Sequence, residues 1–268
     1  MIDLLLPIYN GANYIEEQIA SLEAQTFKDF RIIIRDDGST DNSKEVVHRV
    51  HRNNSNITII EDNLGNVGLS RCLEILMNSS TAPYYMFCDQ DDKWKPEKIE
   101  KTFLKMRELE KSYPNKPVLV CTDSTCVDNH GNILAESFFK SQKYIDVIGD
   151  ETKMLALNVV QGNTCLMNEA CKQYILPFPK YGLYDHWAGV MICHYGVVHY
   201  LYEQTLWYRQ HAGNVLGANN VGMRYFSAKF LHIQRQYRTY RSFFKHLPFH
   251  VSFWEWVYYK IVISMKRL

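Results

Sequence analysis

The strongest constraint on the fold is that short apolar runs alternate with segments of helical periodicity over the first 121 residues. The apolar runs predict buried strands at residues 4–8, 30–34, 57–60, 84–88 and 118–121. Between them, apolar residues recur every three or four positions, as Ile15, Ile19 and Leu22 do, which predicts intervening helices. This alternation is typical of an α/β fold with a mainly parallel sheet flanked by helices on both faces.

Ligands of parallel sheets bind outside the carboxyl ends of the strands, so the loops after each strand are the expected place for a site. Two of these loops are rich in aspartate. They contain Arg35-Asp36-Asp37-Gly38-Ser39 and Asp89-Gln90-Asp91-Asp92. The sequence therefore predicts an acidic site at one edge of the sheet.

The carboxylates of Asp89, Asp91 and Asp92 crowd like charges at one strand end, which is unfavourable unless a cation neutralises them. Oxygen ligands suit Mg²⁺ or Mn²⁺, and such an ion shared with a diphosphate would offset the charge of a departing nucleotide. The alternative is a solvated acidic turn before the helix that begins near Pro96.

The carboxylates of Asp36 and Asp37 stand where one of them could accept the imide N–H of a uracil or thymine base. The same composition, with Gly38 and Ser39 following, is also what a tight turn into a helix requires. Both interpretations stay open at this point.

The loop from Asn63 to Gly68 precedes a helix that carries Arg71, so its N–H groups and the guanidinium could bind phosphate. The alternative is that this segment is a flexible loop that only connects strand and helix, with Arg71 on the surface.

Two later segments carry further chemistry. Asp185 stands beside Trp187, as expected where a sugar is stacked and deprotonated, and Asp185 is the candidate general base; it is also a good helix cap. Arg209 and His211 follow a strand-like run, and His211 could ligate the metal, touch the diphosphate or be structural.

Together these motifs resemble those of the family-2 glycosyltransferases, which have the Rossmann-like, nucleotide-sugar-binding glycosyltransferase A fold. The similarity is specific in the first hundred residues and looser up to about residue 217. It is carried by Pro7-Ile8-Tyr9-Asn10, Glu17, Asp36-Asp37-Gly38-Ser39-Thr40-Asp41, Asn66, Gly68, Asp89-Gln90-Asp91-Asp92, Gly162-Asn163-Thr164, Asp185-His186-Trp187 and Tyr208-Arg209-Gln210-His211. The Asp-Gln-Asp-Asp and Tyr-Arg-Gln-His forms are most similar to rhamnosyltransferase-type members of surface-polysaccharide synthesis.

The resemblance implies a nucleotide-binding set and a metal site. The nucleotide-binding set is Pro7, Tyr9, Asn10, Glu17, Asp36, Asp37, Asn66, Gly68, Arg71, Asp89 and Gln90. Asp89 and Asp91 are expected to frame a Mn²⁺ or Mg²⁺ ion, with Asp91 favoured as direct ligand and His211 as a further candidate. Arg209, Asn163 and Trp187 are expected to contact the diphosphate or the acceptor.

The resemblance also implies single displacement with inversion, in which Asp185 deprotonates the acceptor hydroxyl. The expected donor is dTDP-rhamnose or a UDP-hexose, and the expected acceptor is a glycan, possibly carried on a lipid. The sequence departs from the family at Tyr184-Asp185, where an acidic pair is usual. The expected domains are a catalytic domain over 1–220, divided into a nucleotide-sugar-binding half (1–120) and an acceptor-binding half (121–220), and a tail over 221–268.

The tail is basic and aromatic. Residues 221–268 hold nine Lys or Arg against Glu255 alone, a net +8, while the whole chain carries only +1. One set of residues in the tail recurs at alternating spacings of four and three, which predicts a helix with an aromatic stripe: Phe226, Phe230, Ile233, Tyr237, Tyr240 and Phe244. We expect this surface to lie on an anionic membrane; packing on the catalytic domain or pairing of two subunits is the alternative.

Other functions and locations fit less well. Seven cysteines without a CxxC pair and a start without a basic leader favour a cytoplasmic protein, peripheral at the inner face of the cell membrane. No nucleic-acid motif accompanies the basic tail, and the body is acidic. Arg35 stands where a haloacid-type phosphatase needs its nucleophile. A metal-dependent nucleotidyltransferase and a non-catalytic, nucleotide-sugar-binding scaffold subunit remain as rivals.

Overall fold

The computed structural model describes residues 1–52, 54–211 and 240–267. The strands are β1 (Ile2–Ile8), β2 (Phe30–Asp36), β3 (Ile57–Ile60), β4 (Tyr84–Phe87), β5 (Lys93–Trp94), β6 (Val118–Val127), β7 (Ile133–Ala135), β8 (Leu166–Asn168) and β9 (Val197–Arg209). The helices are α1 (Ile15–Glu23), α2 (Ser43–His51), α3 (Leu69–Ser79), α4 (Lys98–Ser112), α5 (Phe138–Ser141), α6 (Glu151–Ala156), α7 (Lys172–Ile175), α8 (Tyr184–Tyr195) and α9 (Phe253–Lys266). Short 3₁₀ helices cover Gly162–Thr164 and Glu169–Cys171, and residues 240–244 are helical.

The described strands form one mixed sheet in the order β3-β2-β1-β4-β8-β6-β9-β5, with β7 paired to β6. Strands β1 to β4 are mutually parallel, and β6 is parallel to β9. The three-residue β8 lies between β4 and β6 and is antiparallel to both. The predicted α/β fold with a mainly parallel sheet and flanking helices is confirmed, and the antiparallel β8 adds a feature that the sequence did not predict.

The central strands are continuous apolar runs because helices cover both faces of the sheet. Successive residues of β1 alternate between two apolar clusters: Leu5 packs on one face, and Leu4 and Leu6 pack on the other. Helix α3 covers the first face through Leu73, and α1 covers the second through Ile19. Burial on both faces is what a parallel sheet between helical layers requires.

The short strand β5 determines where the second aspartate-rich loop lies. Lys93 and Trp94 pair antiparallel with Trp207 and Leu206 near the end of β9. This pairing holds residues 89–92 against residues 209–211, which are more than 115 positions away in the sequence. The end of β9 therefore completes the site from the opposite half of the chain.

The described part of the tail packs on the rest of the fold. Phe243 is buried against Trp187 of α8, and the indole Nε1 of Trp256 donates to the Leu155 carbonyl at 3.3 Å. The guanidinium of Arg267 donates two hydrogen bonds to the Gln142 carbonyl. Most of the predicted aromatic stripe, Phe226 to Tyr237, lies outside the described residues. The boundary near residue 220 stays a prediction.

Across the three described segments, no helix combines the length and the apolar character that are needed to cross a bilayer.

Candidate functional site

A cleft of about 480 Å³ opens at the carboxyl ends of β1, β2 and β4. It is closed on the other side by residues 158–163 and by the start of α8. The predicted site residues that line it are Pro7, Tyr9, Asp37, Asn66, Gly68, Asp89, Gln90, Asp91, Asn163 and Asp185. The structure thus brings together carboxylates that are up to 148 positions apart, from Asp37 to Asp185.

The loops after β1 and β4 are joined by the side chain of Gln90. Its Oε1 accepts from the backbone N–H of Tyr9 at 2.9 Å, and its Nε2 donates to the Tyr9 carbonyl at 2.9 Å. A Cβ atom on Gly11 would lie 2.3 Å from Gln90 Oε1, so glycine leaves room for this clamp. Tyr9 itself is 47% exposed, with its ring available to a planar ligand.

Asp37 is held by a buried arginine that the sequence analysis did not assign to the site. Arg35 Nη1 donates to Asp37 Oδ1 at 2.5 Å, and the same guanidinium makes a two-point pair with Asp62 at 2.8 and 3.0 Å. Hydrogen bonds to Asp62 raise the pKa of Arg35 above its usual value, although burial opposes this, so the guanidinium stays charged.

The same carboxylate of Asp37 also fixes the loop after β3. Oδ1 accepts from the N–H of Val67 at 3.0 Å, and Oδ2 accepts from the N–H of Gly68 at 2.9 Å. Gly38 has a φ of +79°, and a Cβ there would lie 2.7 Å from the Asn66 nitrogen. The loops after β2 and β3 are therefore packed together as one wall of the cleft.

The acidic loop after β4 crowds three carboxyl groups, of which that of Asp92 is buried. Burial, with Asp91 and Asp185 nearby, raises the pKa of Asp89 to about 7. Burial, followed by the charges of Asp89 and Asp91, raises the pKa of Asp92 well above its usual value. Asp92 accepts hydrogen bonds from the Asn163 amide and from the Arg209 backbone N–H.

The end of β9 contacts Asp91 through two residues. Nε2 of His211 lies 2.8 Å from Asp91 Oδ2, and its ring stacks on Tyr14 with centroids 4.9 Å apart. Arg209 Nε donates to the Asp91 carbonyl at 3.0 Å, and its Nη2 donates to Glu17 Oε2 at 2.5 Å. Glu17 does not line the cleft, and its carboxylate pairs with the guanidinium of Arg209.

Asp185 lies in the first turn of α8, facing the cleft. Its carboxylate accepts hydrogen bonds from Asn158 Nδ2 at 3.1 Å and from the N–H groups of Gly162 and His186 at 3.2 and 2.6 Å. Burial raises the pKa of Asp185 to about 6, and these three hydrogen bonds, which lower the pKa, limit the rise. A carboxylate with this pKa is a base near neutral pH.

Several predicted site residues lie outside the cleft lining. Arg71 is paired with Glu74 at 2.5 Å on α3, and Trp187 is 3% exposed with its Nε1 donating to the Ile175 carbonyl. Asn10 accepts from Thr40, and Asp36 Oδ1 accepts from the N–H groups of Gly38 and Ser39. These contacts give Asn10 and Asp36 roles in shaping the loops around the cleft.

This geometry brings to the site three residues that are not among the predicted site residues. They are Arg35, Asn158 and Gln161. The sequence does contain a pattern that predicts a role for Arg35. A charged residue at the end of an apolar strand requires a buried partner, and two aspartates follow it directly. Asn158 and Gln161 stand in a segment without periodicity, and only their long-range contacts identify them.

The sequence profile of "Glycosyl transferase family 2" matches residues 3–158, which is more than half of the chain. The chain belongs to glycosyl transferase family 2. Its described residues adopt the mixed α/β architecture of the glycosyltransferase A fold.

Curated relatives match the first part of the chain. A chondroitin synthase of Pasteurella multocida is 29% identical over 141 residues, which is 52% of this chain and 14% of that protein. The putative teichuronic acid biosynthesis glycosyltransferase TuaG of Bacillus subtilis is 32% identical over 104 residues, 38% of this chain and 40% of that one. The chain therefore matches well under two thirds of the length of these relatives.

Solved structures extend the likeness in fold to nearly the whole chain. S. aureus TarS 1–349 in complex with UDP-GlcNAc superposes with a TM-score of 0.62 at 16% identity, covering 96% of this chain and 79% of that one. The mannosyltransferase PcManGT from Pyrobaculum calidifontis, in complex with GDP-Man and Mn²⁺, gives 0.61 at 16% identity, covering 99% and 69%.

Proposed function

We propose that the protein is an inverting glycosyltransferase that moves a sugar from a nucleotide diphosphate donor to a hydroxyl group of a glycan acceptor. The observation that carries this proposal is that Asp37, Asp89, Asp91 and Asp185 line a single cleft at the carboxyl ends of the parallel strands. Family membership and the nucleotide-sugar ligands named for two neighbours of the same fold support it.

The nucleotide is proposed to lie against the loops after β1, β2 and β3. Tyr9 offers an exposed ring to the base, and Asp37 Oδ2, which accepts one hydrogen bond among the described residues, has a lone pair left for an imide N–H. This chemistry favours a uracil or thymine base, as in a UDP-hexose or dTDP-rhamnose. Gly68, at the start of α3, would bring the backbone close to the phosphates.

The side chains at the acidic loop fit a Mn²⁺ or Mg²⁺ ion that is shared with the diphosphate. Asp91 Oδ2 and His211 Nε2 converge to 2.8 Å, and both are ligand types that Mn²⁺ accepts. Among the described residues there is no group of three or more such side chains that could hold an ion by themselves. Ions of this class are commonly bound by one or two carboxylates together with substrate phosphates, so Asp91 would hold the ion together with the diphosphate, with His211 as a further ligand. The ion would neutralise charge on the departing diphosphate.

Asp185 is proposed to accept the proton of the acceptor hydroxyl. Its carboxylate is oriented by three hydrogen-bond donors, and its pKa of about 6 leaves it ionised but basic at neutral pH. The hydroxyl oxygen forms its bond to the anomeric carbon as the bond to the diphosphate breaks on the opposite face. This single displacement inverts the anomeric configuration.

We also propose that the acceptor is carried on a lipid and that α9 rests on the membrane. The inner face of α9 packs on the fold, but its outer face exposes Trp254 (76%), Tyr258 (61%), Ile261 (51%) and Met265 (68%). Their spacing of four, three and four residues makes one apolar stripe along the helix. The net charge of +8 over residues 221–268 suits an anionic surface. In this proposal the inner face of α9 packs on the catalytic domain and the outer face contacts the membrane.

A thermal-shift titration with nucleoside diphosphates and nucleotide-sugars, with and without Mn²⁺ or Mg²⁺, tests the proposal, because a ligand of the folded state raises the melting temperature. Metal-dependent release of nucleotide diphosphate from a bound nucleotide-sugar is the expected activity. Binding without turnover would instead favour the non-catalytic scaffold, and transfer of a nucleotidyl group would favour the nucleotidyltransferase.

A further inference from the structure

Residues 161–163 connect the two chemical ends of the cleft. The Gly162 N–H donates to Asp185 Oδ2 at 3.2 Å, and the Asn163 amide donates to Asp92, which is next to Asp91. In a single displacement the donor sugar lies between the base and the diphosphate. The segment therefore runs along the space that the donor sugar would occupy.

Two polar atoms of this segment have no partner among the described residues. They are Gln161 Nε2 and Asn163 Oδ1; both atoms are buried, and both residues line the cleft. One is a donor and the other is an acceptor. A buried polar atom without a partner is unfavourable, and in residues that line a cleft a ligand can supply the missing hydrogen bond.

The structure holds both amides in place by their other atoms. Gln161 Oε1 accepts from Ser124 Oγ at 2.9 Å, and the Gln161 carbonyl accepts from the N–H and the hydroxyl of Thr164 at 2.9 and 2.7 Å. Asn163 is 1% exposed and is fixed by its hydrogen bond to Asp92. Because Gln161 Nε2 and Asn163 Oδ1 are themselves buried, a bound ligand has to uncover these two atoms while the contacts above keep each amide oriented.

We propose that Gln161 and Asn163 form a subsite for the hydroxyl groups of the donor sugar ring, with Gln161 donating and Asn163 accepting. Each hydroxyl group of a pyranose both donates and accepts a hydrogen bond, which matches this pair. The inference rests on the proposed function, since it needs a nucleotide-sugar in the cleft. It assigns to Gln161 the recognition of the sugar and no part in holding the nucleotide.

The test compares a nucleoside diphosphate with its nucleotide-sugar by calorimetric titration of the full chain with Mn²⁺. The probe is the member of a panel of UDP-GlcNAc, UDP-glucose, GDP-mannose and dTDP-rhamnose that stabilises the unaltered protein most. In Gln161→Leu and Gln161→Met, which lack the donor, we expect the affinity for the nucleotide-sugar to fall about tenfold. The affinity for the nucleoside diphosphate should stay unchanged.

Two further comparisons make the result specific. Gln173→Leu, at an exposed glutamine on α7, is the matched control and should leave both affinities unchanged. Among analogues of the probe that each lack one ring hydroxyl, one should bind the unaltered protein more weakly and show no added loss in Gln161→Leu.

An unchanged affinity of Gln161→Leu for the nucleotide-sugar, with nucleoside diphosphate binding intact, would overturn this inference and leave the proposed function standing. If no nucleotide binds the unaltered protein, the proposed function fails and the inference fails with it. Loss of both affinities in Gln161→Met and Gln161→Leu alike would mean that Gln161 supports the cleft as a whole, which also contradicts the subsite.

Discussion

His211 Nε2 lies 2.8 Å from Asp91 Oδ2, although the two residues are 120 positions apart in the sequence. The imidazole is further fixed by stacking on Tyr14 at 4.9 Å between ring centroids. An imidazole and a carboxylate at this separation can either ligate one ion together or act as ligand and orienting partner.

The first prediction concerns the dependence of turnover on metal. If Asp91 is a direct ligand, Asp91→Asn should abolish metal-dependent turnover, because the amide oxygen carries no formal charge. His211→Gln should raise the Mn²⁺ concentration for half-maximal activity at least about 10- to 100-fold, which is the usual cost of losing an orienting partner of a metal ligand and a lower bound if His211 binds the ion itself. Turnover is followed by release of nucleotide diphosphate at graded Mn²⁺. Activity of Asp91→Asn at the unaltered rate would remove Asp91 from the metal site.

The second prediction is the pH dependence of turnover. A general base must be ionised, and burial raises the pKa of Asp185 to about 6, so kcat/KM should fall about tenfold per pH unit below that value. Asn158 donates to the ionised carboxylate and so lowers this pKa. Asn158→Ala should therefore raise the pKa and move the acid limb of the profile to higher pH.

The matched control for this profile is Asn78→Ala, at an exposed position near the end of α3. It should leave the acid limb where it is. Asp185→Asn should remove turnover while nucleotide binding persists. An acid limb that survives in Asp185→Asn would assign the base to another group.

The elements that could be predicted are those with a long local signal. Strands β1 to β4 and helices α1 to α4 each have an apolar run or a helical periodicity, and they appear where the sequence predicts them. Strand β8 has only three residues, so no periodicity could identify it, and it decides that β6 does not pair directly with β4.

The candidate site divides in the same way. Asp37, Asp91 and Asp185 can be predicted as candidates because aspartates at strand ends and helix starts have a chemical meaning without any tertiary contact, and the structure places all three at one cleft. Gln161 could not be predicted, because the orientation of its amide depends on a hydrogen bond from Ser124, which is 37 positions away in the sequence. The position of Arg71 in the helix after the loop 63–68 predicts a contact with phosphate. In the structure its guanidinium pairs with Glu74.

The third prediction concerns the stability contributed by Arg35. Its guanidinium is 1% exposed and compensates the buried charge of Asp37, so Arg35→Met should leave that carboxylate without its cationic partner. We expect the free energy of unfolding at neutral pH to fall by about 3–5 kcal/mol, the usual cost of breaking a buried ion pair from one side. Urea denaturation measures this difference.

The matched control is Arg49→Met, because Arg49 pairs with Glu16 at 2.6 Å on the surface with both side chains more than half exposed. Its expected effect is about 0–1 kcal/mol. Equal losses for the two variants would show that Arg35 is not compensating a buried charge.

The fourth prediction concerns the outer face of α9. Trp254, Tyr258 and Met265 expose 61–76% of their surface, while Ile263 and Arg267 hold the other face on the fold. Replacing these three exposed residues with glutamine should leave the melting temperature unchanged, since none of them is in the core. Partitioning onto vesicles with anionic lipid should fall at least about tenfold, because each apolar side chain removed from the bilayer boundary costs roughly 1.5–3 kcal/mol when fully buried.

The full chain is needed for this measurement, because the buried Phe243 and Ile263 join the tail to the apolar core and a truncated chain would lose them. The matched control replaces Leu104, Ile133 and Leu134, which are 55–64% exposed on other faces, with glutamine. Sedimentation with vesicles that contain phosphatidylglycerol, compared with phosphatidylcholine alone, separates the apolar contribution from the charge of the tail. If both triple variants bind anionic vesicles as well as the unaltered protein, α9 does not rest on the membrane.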